Sequence, residues 1–302
     1  MVKPTPFQER KSVLAQKMDH FLGTFFAMGC PCEVLVETSS RELAEEVLKR
    51  VRNEAWRIEV HWSRYLEGSI VQKINRQPEK QHSLDAETLA IVEYADQLWR
   101  LSSGKFDITS GVYRRIWTFE EGSQIPTPQQ ITQIKQLVGW NKVVVTPSGE
   151  LSMSTGMEID LGGIGKEYAV DACCNEVRRF ADLSCLINFG GDCAVTSPPL
   201  HRPAWVLGVE SVSKLGVSVK NISLTRGGVA TSGNVHRFVM DKGRRLGHII
   251  DATKGMPIYG GPMSITVASN SCMEAGSLAT LAYLQGKGAS EFLQGEAEYW
   301  IQ

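Results

Sequence analysis

Met157-Glu158-Ile159-Asp160-Leu161-Gly162-Gly163-Ile164-Gly165-Lys166-Glu167-Tyr168-Ala169-Val170-Asp171 is the stretch on which the fold turns. Met157, Ile159 and Leu161 alternate with two acidic residues, the period of two that predicts a strand. The glycines that follow permit a tight turn. Ala169, Cys173 and Val177 then recur every four residues, which predicts a helix starting near Gly165. Backbone N–H groups at a helix start attract an anion, and Lys166 adds a point charge there. The spacing is not that of a P-loop, which needs Gly-x-x-x-x-Gly-Lys-Ser/Thr. By itself the stretch suits a sharp structural turn as well as a phosphate or diphosphate cradle.

The pattern repeats towards the C-terminus. Cys185 to Ile187 predicts a strand ending in Asn188-Phe189-Gly190-Gly191-Asp192, and a strand near Val229 lies within Gly227-Gly228-Val229-Ala230-Thr231-Ser232-Gly233-Asn234. Glycines at such ends let a flat ring or a phosphate approach the backbone, but hairpin turns have the same composition. Gly247-His248-Ile249-Ile250-Asp251-Ala252-Thr253-Lys254-Gly255 sets His248 and Asp251 around two apolar residues, and another helix is expected near Cys272. A lone histidine is more often a hydrogen-bonded surface residue than a catalyst.

Towards the N-terminus, Phe106-Asp107-Ile108-Thr109-Ser110-Gly111, followed by Trp117, predicts an extended segment with a carboxylate and a hydroxyl on one side. A helix is expected from about Asp85 to Leu101, with Leu89, Val92, Ala95 and Trp99 on one face and Gly104 stopping it. Ser39 and Glu42 have capping-box spacing, and Ala44, Val47, Leu48, Val51, Ala55 and Ile58 continue with helical periodicity. From Phe25, Cys32, Val34 and Val36 alternate as a half-buried strand. Residues 1–24 are expected as an N-terminal tail and 25–302 as a single domain. Hairpin strands with packed helices, and no internal repeat, predict α+β rather than a regular βαβ array.

Composition narrows the function. With 302 residues, 42% hydrophobic and 22% charged, the chain has the make-up of a folded protein with a sizeable core. A net charge of -1 argues against a general nucleic-acid binder. No apolar run approaches the ~18–20 residues of a membrane span. Met1 to Lys17 contains no apolar signal region, so a cytoplasmic location is expected. Seven cysteines suit a reducing compartment, and neither Cys30-Pro31-Cys32 nor Cys173-Cys174 has the spacing of a zinc site. Buried free thiols are expected.

Taken in order, these segments resemble one family. Met28-Gly29, Phe-Asp-Ile-Thr-x-Gly, Asp-Leu-Gly-Gly-Ile-x-Lys, Asn-x-Gly-Gly-Asp, Ala-Thr-Ser-Gly, His-Ile-Ile-Asp-x-x-x-Gly and a closing Glu274-Ala275-Gly276-Ser277-Leu278-Ala279-Thr280 run as in the ApbE-type flavin transferases, the FAD:protein FMN transferases. The resemblance extends from about Phe25 to Gly286. It implies an α+β fold with mixed or antiparallel sheets, packed helices and a flavin cleft. It also implies Mg²⁺-dependent transfer of FMN from FAD to a Thr or Ser of an acceptor protein, with release of AMP.

Carried over by position, Met28, Tyr65, Phe106, Asp107, Asp160, Lys166, His248 and Ile249 are implied to contact FAD. Gly163 would offer its carbonyl, and Thr280 its hydroxyl, to the metal; Lys166 and Thr280 are the implied catalytic residues. The family's last motif usually reads Ala-Asp-x-x-x-Thr, and its Asp binds Mg²⁺. Here Gly276 stands at that position, and Cys30 stands where Thr is frequent. Glu274, two positions earlier on the helix, is expected to face elsewhere. The missing carboxylate motivates two alternatives: a flavin-binding carrier or assembly protein without transfer, and an FAD diphosphatase that yields FMN and AMP.

Overall fold

Residues 21–36, buried and less buried in alternation, form a hairpin of the central sheet in the computed structural model, which describes residues 10–120, 122–214, 216–235 and 237–302. The chain begins with β1 (Ser12–Gln16), β2 (Phe21–Ala27) and β3 (Cys30–Val36), followed by α1 (Arg41–Trp62) and α2 (Ile70–Arg76). Next come β4 (His82–Ser83), α3 (Ala86–Leu101), a 3₁₀ helix at Ile108–Arg115, α4 (Pro128–Lys135), β5 (Val144–Val145) and β6 (Glu150–Ser152). The second half holds α5 (Gly165–Phe180), β7 (Cys185–Phe189), β8 (Asp192–Val195), β9 (Trp205–Glu210), β10 (Ser218–Leu224) and β11 (Gly228–Gly233). It closes with β12 (Phe238–Asp241), β13 (Arg244–Gly247), β14 (Ile250–Asp251), β15 (Met256–Pro257), β16 (Ser264–Ser269), α6 (Cys272–Leu284), α7 (Ala289–Leu293) and β17 (Glu298–Ile301).

The main sheet has eight strands in the order β1-β2-β3-β7-β8-β11-β16-β17, and each neighbouring pair is antiparallel. The fold is α+β, as expected. Strand alternation assigns the two faces. Cys32, Val34 and Val36 of β3 point into the core shared with α1, α5 and α6, while Leu35 packs with Trp205, Ile222 and Leu224 of the β9–β10 hairpin on the other face. Fully burying a valine such as Val34 or Val36 contributes about 1.5–3 kcal/mol. A smaller cluster around Val112, Tyr113, Trp117, Val239 and Leu246 joins the 3₁₀ helix to the β12–β13 hairpin.

Four expectations change. Residues 12–24, assigned to a tail, lie in β1, the following turn and β2, because β1 pairs with β2 from Ser12↔Phe25 to Gln16↔Phe21; residues 1–9 of that tail fall outside the described residues. The cap of α1 is Ser40, whose Oγ accepts from Leu43 N at 3.1 Å, so the helix starts one residue later than Ser39 implied. Met157–Leu161 joins no sheet, since the Asn75 side chain binds both the N–H and the carbonyl of Ile159, and Asp160 N donates to Ile108 O. The segment after Asp107 coils into the 3₁₀ helix instead of running extended. By contrast, α3 with its Asp85 cap, α5 and α6 begin where periodicity put them.

Candidate functional site

The first turn of α5 is the meeting point. Its boundary residue, Ile164, provides no side-chain cap, and the preceding Gly162 and Gly163 are exposed, so the positive end of the helix faces outward. Phe106 backs this turn: a Cβ on Gly163 would lie 3.2 Å from its ring. Asp160 stands on the other side. Its carboxylate accepts from Gly162 N at 3.0 Å and pairs with Arg64 at 2.7 Å. Arg64 donates to the Tyr65 hydroxyl at 2.8 Å and covers the Tyr65 ring, which is 41% exposed and open to a ligand. Tyr65, Asp160, Gly163 and Phe106 thus form one group although some are nearly a hundred residues apart in sequence.

Lys166 links α5 to the sheet. Its ammonium pairs with Asp192 and donates to the Phe189 carbonyl at 3.3 Å, both at the β7–β8 turn. That turn is built by Gly190 and Gly191 at φ +61° and +101°, where a side chain would be strained. A Cβ on Gly190 would also lie 2.9 Å from Cys30. The Asp192 carboxylate accepts from Thr231 N at 3.3 Å, and the next residue, Ser232, shares a 2.7 Å hydrogen bond with the Thr280 hydroxyl. From the sequence Asp192 reads only as the polar residue of a turn. The Asn-x-Gly-Gly-Asp motif was its signal, but its pairing with Lys166 required the fold.

Thr280 and Gly276 lie one turn apart on α6, which packs against α5. A Cβ on Gly276 would sit 2.6 Å from Glu167 Cγ, so Glu167 fills the space that a side chain at 276 would occupy. Glu167 Oε2 is sealed from solvent and has no hydrogen-bond partner; burial pushes the carboxyl pKa up. Glu274 is used elsewhere, with Oε2 accepting from Asn270 N at 3.2 Å. Hard divalent cations prefer oxygen donors with at least one carboxylate. The Gly163 carbonyl, the Thr280 hydroxyl and the unpartnered Glu167 oxygen fit that chemistry. The His61, Asp85 and Glu87 cluster is a poorer candidate: Asp85 caps α3 and binds His61, and Glu87 is held by Arg57 and Tyr168.

The other expected contacts are more dispersed. Met28 sits in the β2–β3 turn at φ +53°, uncommon for a residue with a side chain, and its N–H is held by Glu59 at 2.9 Å. Asp107 turns inward: its oxygens accept from Thr109 N, Thr109 Oγ1 and Trp140 N at 2.6–2.7 Å, which leaves it a cap of the 3₁₀ helix. Ile249 packs against the main core. His248 touches Phe119 edge-on in the smaller cluster's neighbourhood. The residue is exposed, and crowding of its ring by neighbouring protein and then the Arg237 cation push its pKa down to about 4. All seven cysteines are unpaired, and no helix among the described residues is long and apolar enough to cross a membrane.

Known proteins resemble this chain in sequence and fold. An FAD:protein FMN transferase of Vibrio cholerae is 26% identical over 231 residues, covering 74% of this chain and 69% of the relative. The crystal structure of the ApbE protein of Thermotoga maritima superposes with a TM-score of 0.84 at 27% identity, covering 93% of this chain and 94% of that one. The apo flavinyl transferase ApbE of Pseudomonas stutzeri shares the fold with a TM-score of 0.80 at 20% identity over 97% of this chain and 90% of its own. With the ApbE family profile matching residues 28–300, nearly the whole chain, this protein belongs to the ApbE family.

Proposed function

We propose that the chain transfers FMN from FAD to a Thr or Ser hydroxyl of an acceptor protein and releases AMP, with Mg²⁺ as the metal. The supporting observation is the convergence of Phe106, Asp160, Gly163 and Lys166 on an uncapped helix start, in a family whose relatives are named FAD:protein FMN transferases. The α5 N–H groups and the Lys166 ammonium offset the charge of the FAD diphosphate. Phe106, Tyr65, Met28 and Ile249 offer aromatic or apolar surface to the flavin, and Asp160, fixed by Arg64, offers a hydrogen-bond acceptor. Asp107 contributes by positioning the adjacent Phe106. His248, neutral at physiological pH, offers a lone pair for a hydrogen bond or a proton.

In the reaction, the acceptor hydroxyl oxygen bonds to the FMN phosphorus and releases its proton to solvent, the P–O bond to AMP breaks, and AMP departs with the bridging oxygen. Lys166 and the helix start stabilise the charge that accumulates as this bond breaks. The Gly163 carbonyl and the Thr280 hydroxyl would hold Mg²⁺, which would supply further neutralisation of the phosphoryl oxygens. Seven free thiols suit a reducing compartment, and we place the reaction in the cytoplasm.

The test is to incubate the purified chain with FAD, Mg²⁺ and a Thr-containing acceptor peptide, with EDTA in the control. Metal-dependent AMP release with an FMN mass gain on the peptide supports transfer. Bound FAD without AMP would make the protein a flavin carrier instead. Free FMN formed regardless of the peptide would make it a diphosphatase.

A further inference from the structure

Gly276 leaves the α6 side of the site without a carboxylate, and the neighbouring helix presents one in the same space. A Cβ placed on Gly276 would be 2.6 Å from Glu167 Cγ, 3.0 Å from its Oε1 and 3.1 Å from its Cδ. The two positions therefore share one volume, and a small residue at one matches a long carboxylate at the other. Glu167 Oε2 is cut off from solvent and accepts no hydrogen bond. A buried carboxylate oxygen in this condition is costly unless a cation or donor completes it.

The two helices also align the remaining donors. Gly163 lies in the turn just before α5, four residues ahead of Glu167 in its first turn, and Gly276 and Thr280 are four apart on α6. Helical side chains lean towards their own N-terminus, so Glu167 leans towards Gly163 and Thr280 towards Gly276. Lys166 and Asp171 are the other charged groups that act on the Glu167 carboxyl, and each already has partners: Lys166 holds Asp192, while Asp171 accepts from Cys272 N and Met273 N. Glu167 is left as the available carboxylate.

We propose that Glu167, reaching from α5 over Gly276, is the carboxylate ligand that joins the Gly163 carbonyl and the Thr280 hydroxyl in a divalent-cation site. The carboxylate has moved from one helix to the other while its location in space is kept. The role of that cation in FMN transfer rests on the function proposed above; the binding of the cation does not.

The experiment titrates the full chain with Mn²⁺, following the free ion by electron paramagnetic resonance, with and without FAD. Glu167→Gln should bind Mn²⁺ at least about tenfold more weakly than the unmodified chain. FAD binding without metal, followed by flavin fluorescence, serves as the control that Glu167→Gln is folded. The double variant Glu167→Gly with Gly276→Asp should recover Mn²⁺ binding by supplying the carboxylate from α6. Glu167→Gln binding Mn²⁺ as tightly as the unmodified chain would overturn the proposal, and so would an unmodified chain that binds no Mn²⁺. If Glu167→Gln fails to fold, the double variant decides: restored binding supports the relocated ligand and absent binding refutes it. A chain that binds Mn²⁺ through Glu167 but never FAD would sink the transferase reading alone.

Discussion

The two helices that form the site begin in opposite ways. At α6 the start is saturated: Ser271 Oγ accepts from Glu274 N at 3.0 Å, Asp171 accepts from Cys272 N and Met273 N at 2.9 Å each, and Glu274 accepts from Asn270 N. At α5 no side chain caps the first turn, and two exposed glycines precede it. Both ends carry the same partial positive charge. In α6 that charge is consumed by the protein's own carboxylates, so the end is structural. In α5 the Ile164 and Gly165 N–H groups turn back to the Leu161 carbonyl, and no side chain or carboxylate caps the N–H groups that follow. A helix start is an anion site only where its N–H groups have not been satisfied internally, and capping therefore separates scaffold from function better than glycine content does.

The largest expected effect is on the saturated end. Asp171→Ala strands two N–H groups and should cost about 2–4 kcal/mol of stability in urea unfolding. A loss below that range would mean that α6 does not depend on this cap, and the contrast would weaken. At the open end, Lys166→Ala should reduce FAD affinity by about 10–100-fold, the worth of a charge-assisted hydrogen bond, in a fluorescence titration. Unchanged affinity would show that α5 is not the diphosphate site. Ser271→Ala sharpens the comparison further: stability should fall by about 1 kcal/mol, as for loss of an ordinary cap, with no change in FAD affinity.

The smallest effect concerns His248, away from both helix starts. Its pKa is lower in the folded chain, about 4 against a reference of 6.5, so the unfolded state binds more protons between those values. Stability should therefore fall as pH drops through this window, and His248→Gln should flatten that part of the profile. A profile unaltered by the substitution would show that the exposed ring titrates as it does in the unfolded chain.

Much of the scaffold was legible because burial leaves a period in the sequence. The apolar face of α1, the Asp85 cap of α3 and the starts of α5 and α6 all follow from residues close together in the chain. Where local pattern misled, a distant partner had intervened. Met157–Leu161 has strand alternation, but Asn75 takes the backbone groups of Ile159 and both Arg114 and Arg115 hold Glu158. Ser12–Gln16 has no clean alternation, and β2 alone makes it a strand by providing an edge to pair with. Asp107, legible as a polar residue in a motif, proved to be committed to Thr109 and Trp140.

The sequence by itself determined the helical periods, the glycine turn that leads into α5 and the ordered set of motifs, because each depends on side chains within a few residues of one another. Only the tertiary structure decided that Asp192 holds Lys166, that Arg64 fixes Asp160 and that Glu167 occupies the space above Gly276. Local periodicity specifies which face of an element is buried but carries no record of which distant residue will meet it. The packing of α5 against the sheet and α6 supplies that record, and with it the chemistry of the site.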